Sequence, residues 1–331
     1  MNNQPKFAVI GGGSWATAIA KMLCVNLPEI AWYMRNNDAI DHIKNYHHNP
    51  NYLSSVEFNI QKLKLTSDIN EAIDYADYII FAIPSAFLGS ELKKMTTNLE
   101  NKVIFSAIKG IVPETSLIVG EHFHETYDIP YDNIGVITGP CHAEEVALER
   151  LSYLTIACGD DEKAKIVAKC LSGNYIKAKT TDDIIGTEYA AMLKNIYAIA
   201  AGIAHGLGYG DNFQSVLMSN GIREMKKFIK KVHKMKRNIN DSAYLGDLLV
   251  TGYSVFSRNR MFGNMIGKGY TVKAAMMEMS MVAEGYYAAK SAFELNQKHG
   301  AKTPIIDAVY EILYQGKEAK TVFKKLTDKL D

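Results

Sequence analysis

The chain has 331 residues, enough for two domains, and its 47% hydrophobic and 22% charged content is that of a globular protein with a sizeable core. Lys+Arg 37 against Asp+Glu 36 leave a formal charge of +1, so no global field argues for nucleic acid. Four scattered cysteines without a CxxC, nine histidines without metal-ligand spacing, no charge-free apolar run near about 18 residues and no signal-peptide profile argue against a disulfide framework, a metal site and a membrane span, and fit a reducing cytoplasm.

In chain order, residues 7–10 predict a buried strand and residues 14–27 a helix. Strands follow at 30–34 and 63–66, with a short helix opened by Ser67-Asp68. Residues 78–83 form a strong apolar strand stopped by Pro84, and 103–108 and 134–137 add two more. Two further strands, 151–158 and 174–178, flank a helix at 160–172. This alternation predicts an α/β, Rossmann-like, doubly wound parallel sheet. The Asn-rich stretch around His47-His48 reads as a loop. Beyond Asp182 strand signals vanish, so residues 1–185 are expected to form a dinucleotide-binding Rossmann domain. Residues 186–331 are expected to form an all-helical substrate-binding and catalytic domain.

Within that frame, Gly11-Gly12-Gly13-Ser14-Trp15-Ala16 joins the first strand to the first helix. It is a GxGxxA turn in the context the motif needs. Gly11 permits the tight turn, Gly13 lets backbone approach a pyrophosphate, and the helix amides face the anion. The acid that usually closes the second strand and binds ribose hydroxyls is missing. Arg35 stands there and suits the 2′-phosphate of NADP, so a site for NAD or NADP is expected. Lys109-Gly110 ends a strand, where a lysine touches nucleotide and substrate or simply faces water.

The run at 188–204 is apolar nearly all round, so Lys194 in its middle is a buried ammonium that needs a partner or a task. Ala190, Ala198 and Ala201 form a small-residue stripe beside it, with room for another chain or a ligand. Residues 223–237 hold eight basic residues and one acid, with an apolar face of Met225, Phe228, Ile229, Val232 and Met235. A solvated basic face is preferred there over contact with an anionic membrane. Asp247 reads either as a helix N-cap or as an acceptor for a substrate hydroxyl. In Ser257-Arg258-Asn259-Arg260, the arginine forks match phosphate geometry. No acid lies between Asp247 and Glu278, while Arg258, Arg260, Lys268 and Lys273 do. An anion site is expected.

Taken together, Gly11-x-Gly13-Ser14-Trp15, Lys109-Gly110, Gly139-Pro140-x-x-Ala143, Leu193-Lys194-Asn195, Leu245-Gly246-Asp247-Leu248, Ser257-Arg258-Asn259-Arg260-x-Phe262-Gly263 and Val282-Ala283-Glu284-Gly285 resemble the NAD(P)-dependent glycerol-3-phosphate dehydrogenase family of the bacterial type. The resemblance spans nearly the whole chain. It implies reversible reduction of dihydroxyacetone phosphate to sn-glycerol 3-phosphate, an oxidoreductase step that supplies phospholipid synthesis. It implies Lys194 as proton donor and acceptor, with Lys109 and Asp247 beside it in the catalytic group. It places Lys109, Gly139, Cys141, Lys194, Asp247, Ser257, Arg258 and Asn259 around the substrate. Gly11, Gly13, Ser14, Trp15, Arg35, Lys109, Ala143, Arg258 and Glu284 would hold the cofactor. The chain departs from the family pattern at Ala16, usually glycine, at Cys141, usually Ser or Thr, and at His142 and Glu144-Glu145. A thiol is a poorer hydrogen-bond partner than a hydroxyl, so Cys141 bears on substrate geometry. The expected partner is a phosphorylated triose, with no nucleic acid. Oligomeric state stays open, a homodimer being the guess. The competing readings are a hydroxyacid or hydroxyacyl dehydrogenase and a non-catalytic dinucleotide sensor.

Overall fold

Short runs of Val, Ile, Phe and Tyr fold as strands, with helices between them, throughout Met1–Ile185, the first of two compact units; the second is Gly186–Asp331. The structure, a computed structural model, describes residues 4–279 and 283–331. The first unit runs β1 (Phe7–Ile10), α1 (Ser14–Asn26), β2 (Ile30–Tyr33), α2 (Asn37–Tyr46), β3 (Leu63–Thr66), α3 (Ile69–Tyr75), β4 (Tyr78–Phe81) and α4 (Ser85–Leu92). It continues with β5 (Val103–Ser106), the hairpin β6 (Ile111–Val112) and β7 (Leu117–Ile118), α5 (Val119–Tyr127), β8 (Ile134–Thr138), α6 (Ala143–Ala147), β9 (Ser152–Cys158), α7 (Asp161–Leu171) and β10 (Ile176–Thr181).

Eight strands pair in the order β10-β9-β8-β5-β4-β1-β2-β3. Chain order reverses beside β1, and ligands of open α/β sheets bind off the carboxyl ends of the strands at such a switch point. Alternate residues of the central strands feed opposite cores, as expected for strands covered on both faces. Phe7, Val9, Ile80 and Phe105 pack with α1, α2 and α7. Ala8, Ile10, Ile79 and Ile104 pack with α3, α4 and α5. Helix starts follow local chemistry: Asn36, Asp68 and Asp160 each accept a first-turn amide and open α2, α3 and α7.

The sheet departs from the all-parallel expectation at one place. β9 pairs antiparallel to β8, while β10 is parallel to β9. The link from β8 to β9 carries only the five-residue α6, too short to recross the sheet, so the chain turns back on itself.

The second unit is helical: α8 (Ile184–Gly206, its first two residues in the first unit), α9 (Asp211–Val232), α10 (Asp247–Tyr253), α11 (Arg258–Gly267), α12 (Val272–Glu278), α13 (Glu284–His299), α14 (Pro304–Gln315) and α15 (Ala319–Thr327). The basic helix expected at 223–237 is the second half of α9. It begins twelve residues earlier, because Leu217 and Met218 continue the buried stripe of Met225, Phe228 and Ile229. It stops at Val232, where the Arg237 guanidinium donates to the His233 carbonyl at 2.8 Å and satisfies an orphan acceptor of the helix end. Its apolar face is spent on the unit's own core, so it is not available to a bilayer. Among the described residues no helix is long and apolar enough to cross a membrane.

Candidate active site

At the carboxyl edge of the sheet, Gly11 leaves β1 with φ +134°, and a Cβ there would collide with the Ala82 carbonyl. Only glycine takes that turn without strain. The Gly11 carbonyl accepts the buried Trp32 indole N–H at 2.7 Å. The Gly13 carbonyl accepts both the amide and the hydroxyl of Thr17 at 2.9 Å. Gly13 caps α1 with no side-chain acceptor, and a Cβ built on it meets nothing within 4 Å. The first-turn amides of α1 therefore face open space with their donors unspent. Unspent amides at a helix start are the donors that a diphosphate requires.

Two sequence-marked groups border it. Lys109, half-buried past the end of β5, holds its ammonium 5.8 Å over the Trp15 ring, within cation–π range. Gly110 next to it has φ +145°. Off the neighbouring parallel strand β8, Gly139 has φ +123°, and a Cβ there would press on the Tyr153 carbonyl at 2.6 Å. Buried Cys141 and Ala143 follow, with Ala143 opening α6. Exposed Arg35 lies over the ring of Phe87 at 5.8 Å. Phe87, on α4, went unmarked in the sequence. Its only signal is an aromatic in the first turn after the strand-ending Pro84.

In the second unit, Lys194 of α8 is 2% exposed and forms an ion pair with Asp247, which is 1% exposed. Asp247 is the first residue of α10, reached through one π-helical turn at Ser242–Gly246. Gly246, not Asp247, occupies the cap position of α10, so Asp247 is not its N-cap. Thr251, one turn on and missed in the sequence, donates to the Asp247 carbonyl at 2.6 Å and lies 3.5 Å from its carboxylate.

The small residues of α8 serve the protein itself. A Cβ on Gly202 would collide with the Arg260 carbonyl, and one on Gly263 with the Ile199 carbonyl. Backbones of α8 and α11 thus touch along the face of α8 that carries Ile199 and Gly202, while Ala190, Ala198 and Ala201 of the stripe beside Lys194 are buried. Ser257 caps α11 by accepting the Arg260 amide at 3.3 Å, so its hydroxyl already has a structural task. Arg258 is exposed at the first turn of α11. The Asn259 side-chain Oδ1 accepts the Gly285 amide at 2.9 Å, and Gly285 packs against the Asn195 backbone. Asn195, Asn259 and Gly285 are thus drawn together beside Lys194. Glu284 starts α13, while Val282 of its motif lies outside the described residues.

Family models of the NAD-dependent glycerol-3-phosphate dehydrogenase N-terminus and C-terminus match residues 6–164 and 183–324. A Bacillus velezensis protein named glycerol-3-phosphate dehydrogenase [NAD(P)+] is 36% identical over 97% of this chain and 93% of its own. The chain belongs to the NAD-dependent glycerol-3-phosphate dehydrogenase family. A Bacillus subtilis member of the same name is 35% identical, again over 97% of this chain and 93% of its own. The solved glycerol-3-phosphate dehydrogenase of Coxiella burnetii superposes with a TM-score of 0.90 at 27% identity, covering 98% of this chain and 99% of that one. A D-mandelate dehydrogenase complex, at TM-score 0.65 and 17% identity over 96% and 99%, shares the fold alone.

Membership of this oxidoreductase family agrees with a glycine turn built for NAD or NADP. Arg260, Lys268 and Lys273 form no ion pair among the described residues. Elsewhere, burial pushes the Cys24 thiol up to about 12 and raises Cys158 and Cys170 as well, so these cysteines hold little reactive thiolate. Among the described residues, no three His, Cys, Asp or Glu side chains come together as a metal site would need.

Proposed function

We propose that this protein interconverts dihydroxyacetone phosphate and sn-glycerol 3-phosphate with NADH or NADPH, supplying the glycerol backbone of phospholipids. The buried Lys194–Asp247 pair carries the reading. A cation and an anion withdrawn from water cost several kcal/mol in desolvation, and stability alone gives little reason to keep them.

When bound, the reduced nicotinamide supplies a hydride to C2 of the ketone. The protein's part is to orient and to move a proton. Lys194 gives its proton to the oxygen developing charge on C2 and takes it back in the reverse direction. Asp247 holds the ammonium in place, and Thr251 anchors Asp247. Arg258, with the amide N–H groups of Asn259, holds the phosphate; fixing that remote end orients C2 for transfer. Lys109 adds positive charge, and Gly139, Cys141 and Ser257 complete the substrate's surroundings. Gly11, Gly13, Ser14, Trp15, Arg35, Lys109, Ala143, Arg258 and Glu284 would hold the dinucleotide. The N-terminal unit is thus read as the cofactor-binding domain and the helical unit as the substrate-binding one, with the cytoplasm as the setting.

The loss of 340 nm absorbance from NADH, with dihydroxyacetone phosphate and with unphosphorylated dihydroxyacetone, tests the proposal. Turnover with the phosphorylated ketone and little with the other is expected. No turnover, or equal use of both, rejects it.

A further inference from the structure

One buried side chain near the glycine turn has no part in the chemistry above. Asn49 lies in the link between α2 and β3 and is only 1% exposed. Its amide uses every hydrogen-bond site it has. The oxygen accepts the Asn51 amide at 3.0 Å and the Tyr52 amide at 3.3 Å. The nitrogen donates to the Gly12 carbonyl at 3.1 Å and to the Thr17 hydroxyl at 2.9 Å. Because two N–H donors fix the oxygen side, the NH2 has to face the glycine turn.

The consequence lies in the geometry of a trans peptide. Its C=O and the following N–H point in opposite directions. Drawing the Gly12 carbonyl toward Asn49 therefore turns the Gly13 N–H the other way. It also withdraws a lone pair that would repel an anion. Through Thr17, whose hydroxyl donates onward to the Gly13 carbonyl, Asn49 secures the next peptide too. With Trp32 on the Gly11 carbonyl, all three glycine carbonyls are bound from within the protein. The peptide between Gly12 and Gly13 is flanked by glycines on both sides, so without such a tether it is free to flip.

We propose that Asn49 is a positioning residue for dinucleotide binding, holding the peptide between Gly12 and Gly13 so that the turn offers the diphosphate donors only. This rests on the dinucleotide reading above and adds a residue to it. Asn49 acts through Gly12 and Thr17 and touches no reacting atom.

The test compares the wild-type chain with Asn49→Asp and Asn49→Ala. Asn49→Asp keeps both acceptors for the Asn51 and Tyr52 amides, so the link keeps its own turn while both donors are lost. Asn49→Ala removes the donors without adding a charge. Affinity for NADH is measured by calorimetric titration. Thermal stability without cofactor and steady-state constants for dihydroxyacetone phosphate at saturating NADH are measured alongside. Both variants should bind NADH about 10- to 100-fold more weakly, the loss expected from a turn with freed carbonyls. Their kcat and KM for the ketone at saturating NADH should stay within about twofold of wild type, a split that general loss of structure does not give. Unchanged affinity in either variant overturns the proposal. So does a loss in which kcat falls and melting collapses in parallel, since Asn49 would then be merely structural. Wild-type protein that fails to bind NADH rejects the dinucleotide reading itself, a separate and visible result.

Discussion

Replacing Asp247 with alanine leaves the Lys194 ammonium where water cannot reach it. Lys194 is 2% exposed and Asp247 1% exposed, so neither charge can turn to solvent without opening the helical unit. Removing one partner of a buried pair costs about 3–5 kcal/mol, most of it the stranded charge. Discharging the lysine gives no cheaper escape. At pH 7, neutralising a group of ordinary pKa near 10.4 costs about 4–5 kcal/mol. Set against the roughly 5–15 kcal/mol that holds a domain together, Asp247→Ala should bring the helical unit close to unfolding. Removing both charges, as Lys194→Met with Asp247→Leu, should recover most of the loss while abolishing turnover. Urea denaturation followed by far-ultraviolet circular dichroism is the suitable assay. Both tryptophans, Trp15 and Trp32, lie in the other unit and do not report on this one. If Asp247→Ala stays within about 1 kcal/mol of wild type, or the double variant is no more stable than the single, the buried-pair reasoning is refuted.

Three further outcomes are expected. Arg258→Ala should raise the KM for dihydroxyacetone phosphate by about tenfold or more, with a smaller effect on kcat, in line with a charge-assisted phosphate contact; an unchanged KM removes Arg258 from the anion site. Arg35→Ala should weaken NADPH more than NADH, and equal weakening of the two would assign Arg35 to the surface. Glu224 of α9 is buried, accepts the Ile305 and Ile306 amides at 2.8 and 3.0 Å, and is pushed by burial from 4.5 up to about 8. The folded state thus binds this proton more tightly than the unfolded chain. The stability it contributes is fully present below about 4.5 and lost as pH rises through about 8. In Glu224→Gln, which cannot titrate, the deficit relative to wild type should shrink between pH 5 and 8, by at most about 3–4 kcal/mol. A deficit that does not change with pH would contradict this.

Much of the fold is legible in the sequence because it rests on short-range patterns. Fully apolar runs such as Tyr78–Phe81 announce strands buried on both faces, and the glycine turn marks the edge where ligands bind. Lys194 stands out because its neighbours leave an ammonium nowhere else to go. What stays hidden depends on contacts between distant segments. The antiparallel β9 follows from the shortness of α6, and periodicity does not report strand direction. The Asn-rich stretch reads only as a loop, yet Asn49 reaches thirty-seven residues back to Gly12. Phe87 and Thr251 have ordinary local surroundings and gain meaning only beside Arg35 and Asp247. The stripe beside Lys194 reads as space for a ligand because the sequence cannot show that Ala190, Ala198 and Ala201 are all buried.

Proton transfer by Lys194 is the claim on which the proposed chemistry rests. The kcat for NADH oxidation by dihydroxyacetone phosphate, compared between wild type and Lys194→Met over pH 6 to 9, tests it most directly. Methionine preserves the buried stem without the proton. Because this change strands the Asp247 carboxylate, it should cost about 3–5 kcal/mol of stability, so circular dichroism at each pH measures the folded fraction; per folded molecule the variant should turn over about 100-fold more slowly or worse. Turnover near the wild-type rate with an unaltered pH profile would contradict the role given to Lys194.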